Sequence, residues 1–309
     1  QVTLPTLGGA GIRYINSIGH ALMKTIELEI GGQRIDKHYA EWLEIWAHLT
    51  MPEEKRAGYK EMVGMYDGTP DEPTAERTYY VPLIFFFNRN PGLALPLIAL
   101  QYHEVKINID FEKLDRLIFQ TSGVTPATPA VQMGECSLWV DYVYLDTDER
   151  RRFAQVSHEM LIEQLQFTGD ETVQTSTGTS KTEKYRMNFN HPVKELIWVY
   201  RSDEAESEND IFNFSIDSTA ADDQPSWQDT SATPSSVTQA TGDEPVTSAK
   251  ILLNGHDRFS DRHGSYFRLV QPYQHHTRVP SKHIYCYSFA MKPEEHQPTG
   301  TCNFSRIDN

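Results

Sequence analysis

Cysteine is scarce. Three residues, Cys136, Cys286 and Cys302, in a chain of 309 cannot make the dense disulfide framework of a small secreted domain, and they favour a reducing compartment. Long apolar runs are also missing. The best, Leu83–Phe87 and Leu93–Leu100, fall far short of the ~20 residues that span a bilayer, and Pro96 breaks the second. Basic charge is in deficit: 28 Lys and Arg against 43 Asp and Glu leave a formal net charge of −15. So acidic a chain lacks the basic face that nucleic-acid phosphates or anionic lipid require, so no direct nucleic-acid partner is expected. No secretory leader pattern occurs, nor a nucleophile elbow, phosphate loop, CxxC pair or HExxH stretch. These absences leave no catalytic, cofactor-binding or metal residue to assign, and the chain is read as a non-enzyme without a cofactor.

What is present is ordinary globular material, 39% hydrophobic and 23% charged, long enough for two domains. Strand signal dominates. In Lys24–Ile30, residues Ile26, Leu28 and Ile30 alternate with Thr25, Glu27 and Glu29, the pattern of a half-buried strand. Further strands are expected at Arg77–Phe87, Leu97–Phe111 and Cys136–Leu145, with Val105, Ile107, Ile109 and Phe111 on one face. The second half offers Met160–Thr168, Tyr185–Phe189, Val193–Tyr200, Ile211–Ile216, Ala249–Leu253, Tyr266–Val270, Ile284–Met291 and Thr301–Ile307. These runs are short, rich in β-branched and aromatic residues, and punctuated by turn residues. They predict an all-β, sandwich-type fold. Helices are expected only at Lys37–Thr50, after Pro52, and at Asp146–Val156, where acidic residues precede basic ones and complement the helix dipole. The last is the expected connector between domains. Asp217–Ala249 has no Lys, Arg or His and reads as a solvated loop that cannot order itself as core.

The two halves echo each other. Phe87, Pro91 and Pro96 correspond to Phe289, Pro293 and Pro298 at one offset, 202 residues. Upstream, Ile30-Gly31-Gly32 resembles Leu253-Asn254-Gly255, each a strand end followed by residues that accept positive φ, then by Arg, an apolar residue and Asp. The repeat predicts that the second half lacks about 40 residues of final strands, and that the first lacks its N-terminal strand.

Five stretches carry a family likeness: NSIGHALMKTIELEIGGQRIDKHYAEWLEIW (Asn16–Trp46), LPLIALQYHEVKINIDF (Leu95–Phe111), YLDTDERRRFAQVSHEMLIEQLQ (Tyr144–Gln166), LNGHDRFSDRHGSYFRLVQPYQHH (Leu253–His276) and HIYCYSFAMKPEEHQPTGTCNFSRID (His283–Asp308). In them the chain resembles the major capsid proteins of nucleocytoplasmic large DNA viruses, the iridovirus, phycodnavirus and mimivirus-like group. The resemblance implies a tandem double jelly roll, two eight-stranded β-sandwiches with short helices in connecting loops. The expected layout is a first jelly roll over 1–146, a connector helix over 147–157, and a second jelly roll over 158–309 that carries a long acidic low-complexity loop over 203–248. It further implies a homotrimer of pseudo-hexagonal outline, tiling an icosahedral virion capsid that is assembled in the host cytoplasm. The partners it implies are neighbouring capsomers, penton and minor capsid proteins, and an inner membrane beneath the shell that the chain does not span. Met51–Arg77 and Ser202–Ser248 are then the outer loops.

Other candidates have structural readings. His275, His276 and His283 form a local group with no obvious acidic partner in the second half, and are read as interface or loop histidines rather than metal ligands. The sequons at Asn213 and Asn303 sit in expected strands and are read as unmodified. Cys286 and Cys302 are read as free buried thiols. Arg34–Asp36 and Arg258–Asp261 are expected to pair locally. Arg150–Arg152 is expected to pair with Asp146, Asp148 and Glu149 or with a neighbouring subunit. A rival reading is a glycan-binding or glycan-cleaving double jelly roll. It needs a concave site with exposed Trp or Tyr and paired carboxylates. Trp42, Trp46, Trp139 and Trp198 are expected in the core and Trp227 in the loop.

Overall fold

The structure is a computed structural model that describes residues 1–7, 12–66, 75–120, 132–173, 181–207, 209–214 and 244–307. In the first half the order is β1 (Val2–Leu4), β2 (Ile12–Tyr14), α1 (Ile18–Ala21), β3 (Met23–Ile30), β4 (Gln33–Tyr39), α2 (Ala40–Thr50), α3 (Glu53–Val63), β5 (Arg77–Tyr79), α4 (Phe86–Arg89), β6 (Val105–Phe111), β7 (Ile118–Gln120) and α5 (Thr147–Gln155). The second half follows with β8 (Pro192–Val193), β9 (Glu195–Val199), α6 (Asp203–Ser207), β10 (Ser248–Ala249), β11 (Leu252–Leu253), β12 (His256–Asp257), β13 (Arg262–His263), α7 (Gln271–His275), β14 (Ile284–Ser288) and β15 (Cys302–Asn303).

The described residues are rich in short antiparallel pairings, with helices set between strands. The main sheet has the order β4-β3-β6, and its register sets Ile26 opposite Ile109 and Leu28 opposite Ile107. Ile26 and Leu28 are fully buried, and Val105, Ile107, Ile109 and Phe111 pack half-buried against the same core. Each such side chain removed from water contributes about 1.5–3 kcal/mol. Smaller pairings are β1-β5, β2-β7, β9-β14, β8-β15, β10-β13 and β11-β12.

Two hairpins repeat one device. Gly31 and Gly32 both have positive φ between the paired Ile30 and Gln33, and Asn254 and Gly255 both do between the paired Leu253 and His256. Two positive-φ residues make the tight turn whose twist matches the flanking strands. The echo around Phe87 and Phe289 has no such counterpart. Phe87 is helical in α4, whereas Phe289 lies in a bend after β14.

Several expected strands take other forms. Tyr266–Val270 is a π-helical turn that runs directly into α7. Its five residues are too few for periodicity to separate strand from helix. Arg77–Phe87 is a strand only as far as Tyr79, and Leu97–Phe111 only from Val105. Among the described residues Met160–Thr168 and Tyr185–Phe189 form no ladder, and Cys136–Leu145 keeps one bridge, Val2 to Cys136. Lys37–Tyr39 belongs to β4 rather than to the helix, which starts at Ala40. α5 forms where a helix was expected, and the Asp146 carboxylate caps it, accepting from Thr147 N at 2.6 Å, while Glu149 accepts from Asp146 N at 3.3 Å.

The largest apolar core is not confined to one half. Ile211, Phe212, Phe214 and Ile284 of the second half are buried with Ile18, Ile26, Leu43 and Phe85 of the first. The start of the expected acidic loop is therefore core at 211–214, because three large apolar side chains there find a hydrophobic partner. Trp227 and residues 215–243 lie outside the described residues. A second, smaller core gathers around Leu196, Ile251 and Phe304.

Candidate functional site

Charged side chains line the seam between the halves. α2 follows β4 without a loop, so its apolar residues Leu43, Ala47 and Leu49 face the core. Glu44 lies among them and is fully buried. Its Oε2 accepts from His20 Nδ1 at 2.7 Å, and its Oε1 is 3.2 Å from Ser17 Oγ, 3.2 Å from His48 Nε2 and 2.7 Å from Lys282 Nζ. His20 Nε2 is 2.8 Å from Tyr59 OH on α3. Burial alone would raise the Glu44 carboxyl; the Lys282 ammonium and the two histidine hydrogen bonds outweigh it and hold the carboxyl well below the usual range.

Two further networks cross the seam. Arg89 donates to Glu163 at 2.9 Å with its guanidinium 4.0 Å over the Trp46 ring, and Lys194 donates to both Glu163 and the Glu295 carbonyl. Arg201 reaches Glu41 at 3.3 Å and Glu206 at 3.0 Å, and Arg116 also bonds Glu206. Asp36, buried in β4, accepts from Leu165 N at 3.1 Å and bonds His38 Nε2 at 2.9 Å.

Inside the second half, the fully buried His276 ring lies 2.9 Å from Glu294 on its Nδ1 side. Its Nε2 is 2.9 Å from Glu195, a charge contact rather than an aligned hydrogen bond. Burial opposes a charge there, but the Cys286 sulfur and the two carboxylates outweigh it, and the His276 pKa is pushed up to about 12. Arg268 grips Glu244 with two nitrogens at 2.9–3.2 Å, and Tyr285 OH donates to the same carboxylate at 2.6 Å. Arg268 and Tyr285 hold Glu244 below its ordinary range against the opposing effect of burial.

The residues singled out from sequence fall apart in space. His276 does have acidic partners, Glu195 and Glu294, which come from β9 and the segment after β14 and so were invisible as a sequence cluster. His275 Nδ1 instead meets the Met291 carbonyl at 2.9 Å. Among the described residues no group of three or more His, Cys, Asp or Glu is arranged for a metal ion. Asn213 is buried, while Asn303 is exposed and accepts from Ser305 N at 3.1 Å. All three cysteines are free; Cys286 is buried opposite Ile197 and Cys302 is half-buried opposite Val193, whereas Cys136 is exposed. Arg34 approaches Glu27 across the hairpin at 3.7 Å, because Asp36 is turned inward to His38. Arg151 lies 3.7 Å from Asp148, as expected on the α5 surface.

Trp139 corrects the expectation of a core residue: it is 76% exposed. It belongs to a strip of large apolar side chains, with Leu138, Val140, Tyr142, Val143 and Tyr144, all more than half exposed. The chain before it is anchored beside β1, through Thr3 N to the Glu135 carbonyl at 2.9 Å and Ser137 N to the Gln1 carbonyl at 3.0 Å. The Glu195–Glu294 carboxylate pair is closed over buried His276, so it offers no open cleft of the kind glycan cleavage needs.

Known proteins agree with this architecture over the whole chain. The family described as "Large eukaryotic DNA virus major capsid protein" matches residues 149–309, and "Major capsid protein N-terminus" matches residues 1–146. The major capsid protein of Pyramimonas orientalis virus is 48% identical over 94% of this chain and 68% of its own. That of Phaeocystis pouchetii virus is 40% identical over 100% of this chain and 78% of its own. The crystal structure of PBCV-1 VP54, fitted into a cryo-EM reconstruction of the virophage Sputnik, superposes with a TM-score of 0.82 at 41% identity, covering 100% of this chain and 73% of that one. The Faustovirus major capsid protein shares the fold at 13% identity and a TM-score of 0.62. The chain belongs to the major capsid protein family of large eukaryotic DNA viruses.

Proposed function

We propose that this structural capsid protein works as a tandem double jelly roll, with sandwiches over residues 1–146 and 158–309 joined through 147–157, three copies of which make a pseudo-hexagonal capsomer. Two similar units per chain give three chains six similar sectors, so threefold symmetry approximates a hexagonal tile. The paired positive-φ hairpins at Gly31-Gly32 and Asn254-Gly255 support the duplication. Such tiles would build an icosahedral shell in the host cytoplasm. Their partners there are neighbouring capsomers, penton and minor capsid proteins, above an inner membrane and without direct contact to the genome.

The observation that carries the assembly reading is the exposed apolar strip Leu138–Tyr144, which in a folded subunit marks a surface for association. Native mass measurement of the purified chain tests it. Three copies per particle are expected, and a clean monomer at high concentration overturns the trimer.

A further inference from the structure

Glu44 is a carboxylate removed from water and shared between the two halves. From its own helix it meets His48, from α1 His20 and from the residue just before α1 Ser17, and from the segment before β14 Lys282. His48 Nε2 and Lys282 Nζ both address the same oxygen, Oε1. We infer that this cluster is an acid-sensitive latch: Lys282 is bound to α2 through Glu44 while His48 is neutral, and is displaced when His48 takes up a proton.

The charge balance supplies the first reason. With His48 neutral, the buried Glu44 carboxylate already has the Lys282 ammonium on Oε1 and the His20 ring on Oε2. A second cation on His48 would face Lys282 and the neighbouring Arg278, whose backbone N bonds the Leu49 carbonyl at 3.0 Å. From α3 the cluster meets Tyr59 through His20, and Glu53 lies 4.0 Å from Arg278 with its side chain 74% exposed, too solvated to offset a buried charge. The second reason is hydrogen bonding. His48 Nδ1 is buried with no partner among the described residues, so a proton placed there stays unpaired. Consistent with both, burial pushes the His48 imidazole below its ordinary range despite the pull of Glu44.

Release has a structural consequence. Lys282 lies over the rings of Phe212 and Phe214, at 5.4 and 5.8 Å. Those rings, with Ile211 and Ile284, are the second half's buried residues in the shared core. Displacing the ammonium therefore loosens the segment that holds the halves together. The direction with pH follows from linkage. A histidine depressed in the folded state contributes its full stability above its ordinary pKa of about 6.5. That contribution is lost as pH falls below this value, until the folded protein also takes up the proton. Glu44 adds a second loss only below the ordinary carboxylate range.

Hydrogen–deuterium exchange of the full chain, corrected for intrinsic rates, at about pH 7.5 and about pH 5.5 reads the latch directly. Protection of residues 47–50, 211–214 and 284–286 is expected to fall about tenfold at the lower pH, with β3 and β6 unchanged. His48→Gln keeps a donor for Glu44 but cannot titrate, and is expected to abolish the fall. Lys282→Met gives an independent sign test. Without the ammonium, a protonated His48 becomes the counter-charge of Glu44, so acid should raise seam protection rather than lower it. Equal protection at both pH values in the unsubstituted chain, an unchanged fall in His48→Gln, or a fall rather than a rise in Lys282→Met overturns the latch.

Discussion

His276 holds a positive charge where little water reaches. Its stabilising contacts are Glu294 and Glu195, so removing the charge leaves two carboxylates facing one another in the interior. His276→Gln is expected to cost about 3–5 kcal/mol, the usual penalty for breaking a buried charge pair from one side, read as a lower urea midpoint. The pH dependence has the opposite sign to that of His48. A histidine raised in the folded state stabilises fully below its ordinary value near 6.5 and loses that contribution as pH climbs toward about 12. Between about pH 7 and about pH 9 the unsubstituted chain should lose roughly 1.4 kcal/mol per pH unit from this group, and the Gln variant should be flat. A midpoint that stays constant over that range in the unsubstituted chain refutes the assignment. In the sequence His276 stood out only as one of a histidine group read as interface or loop residues, and Glu44 did not stand out at all. Glu44 sits in a helix where a charged residue ordinarily faces solvent, and its only local hint is His48 one turn on. The partners that make both residues matter, Lys282 and Glu195, lie far away along the chain.

Among the elements, α3 offers a paired test of backbone conformation against packing. Gly64 ends the helix at φ 71°, and a Cβ there would lie 2.7 Å from a Tyr79 ring carbon and 2.8 Å from Ile18 Cγ2. Gly58 lies within the helix with nothing within 4 Å of an added Cβ. Gly64→Ala should destabilise by about 1–3 kcal/mol, since strain and crowding act together. Gly58→Ala should stabilise by about 0.5–1 kcal/mol through helix propensity. Thermal unfolding of the two variants separates them, and equal signs would refute the account. Elements with local signatures were legible in advance: the alternating β3, the Gly31-Gly32 turn, α2 and the capped α5. The π-helical turn at Tyr266–Val270 was not, because Tyr-Phe-Arg-Leu-Val suits a buried strand as well as a helix. Cys136–Leu145 shows the reverse problem. Its composition describes a strand, but a ladder also requires a partner, which alternation in one segment cannot specify.

For the whole molecule, burial and exposure divide the work. The shared core and the ion networks through Glu44, Glu163 and Glu206 tie the halves into one unit, whereas the Leu138–Tyr144 strip contributes little to that unit's own stability. The two hairpin turns, Gly31-Gly32 and Asn254-Gly255, were readable along the sequence because each carries its own local turn chemistry. The seam was not, because it depends on which faces meet. The strip therefore predicts a separation of folding from association. Trp139→Ser combined with Tyr144→Ser, at 76% and 91% exposure, should leave the urea midpoint of the dissociated subunit within about 0.5 kcal/mol of the original, as surface substitutions usually do. The same double variant should weaken self-association at least tenfold in sedimentation equilibrium, since large aromatic side chains dominate interface energetics. If association survives unchanged, the strip is not the contact between copies. If instead the isolated subunit unfolds more easily by several kcal/mol, the two aromatics support the fold itself, and their exposure is not a sign of assembly.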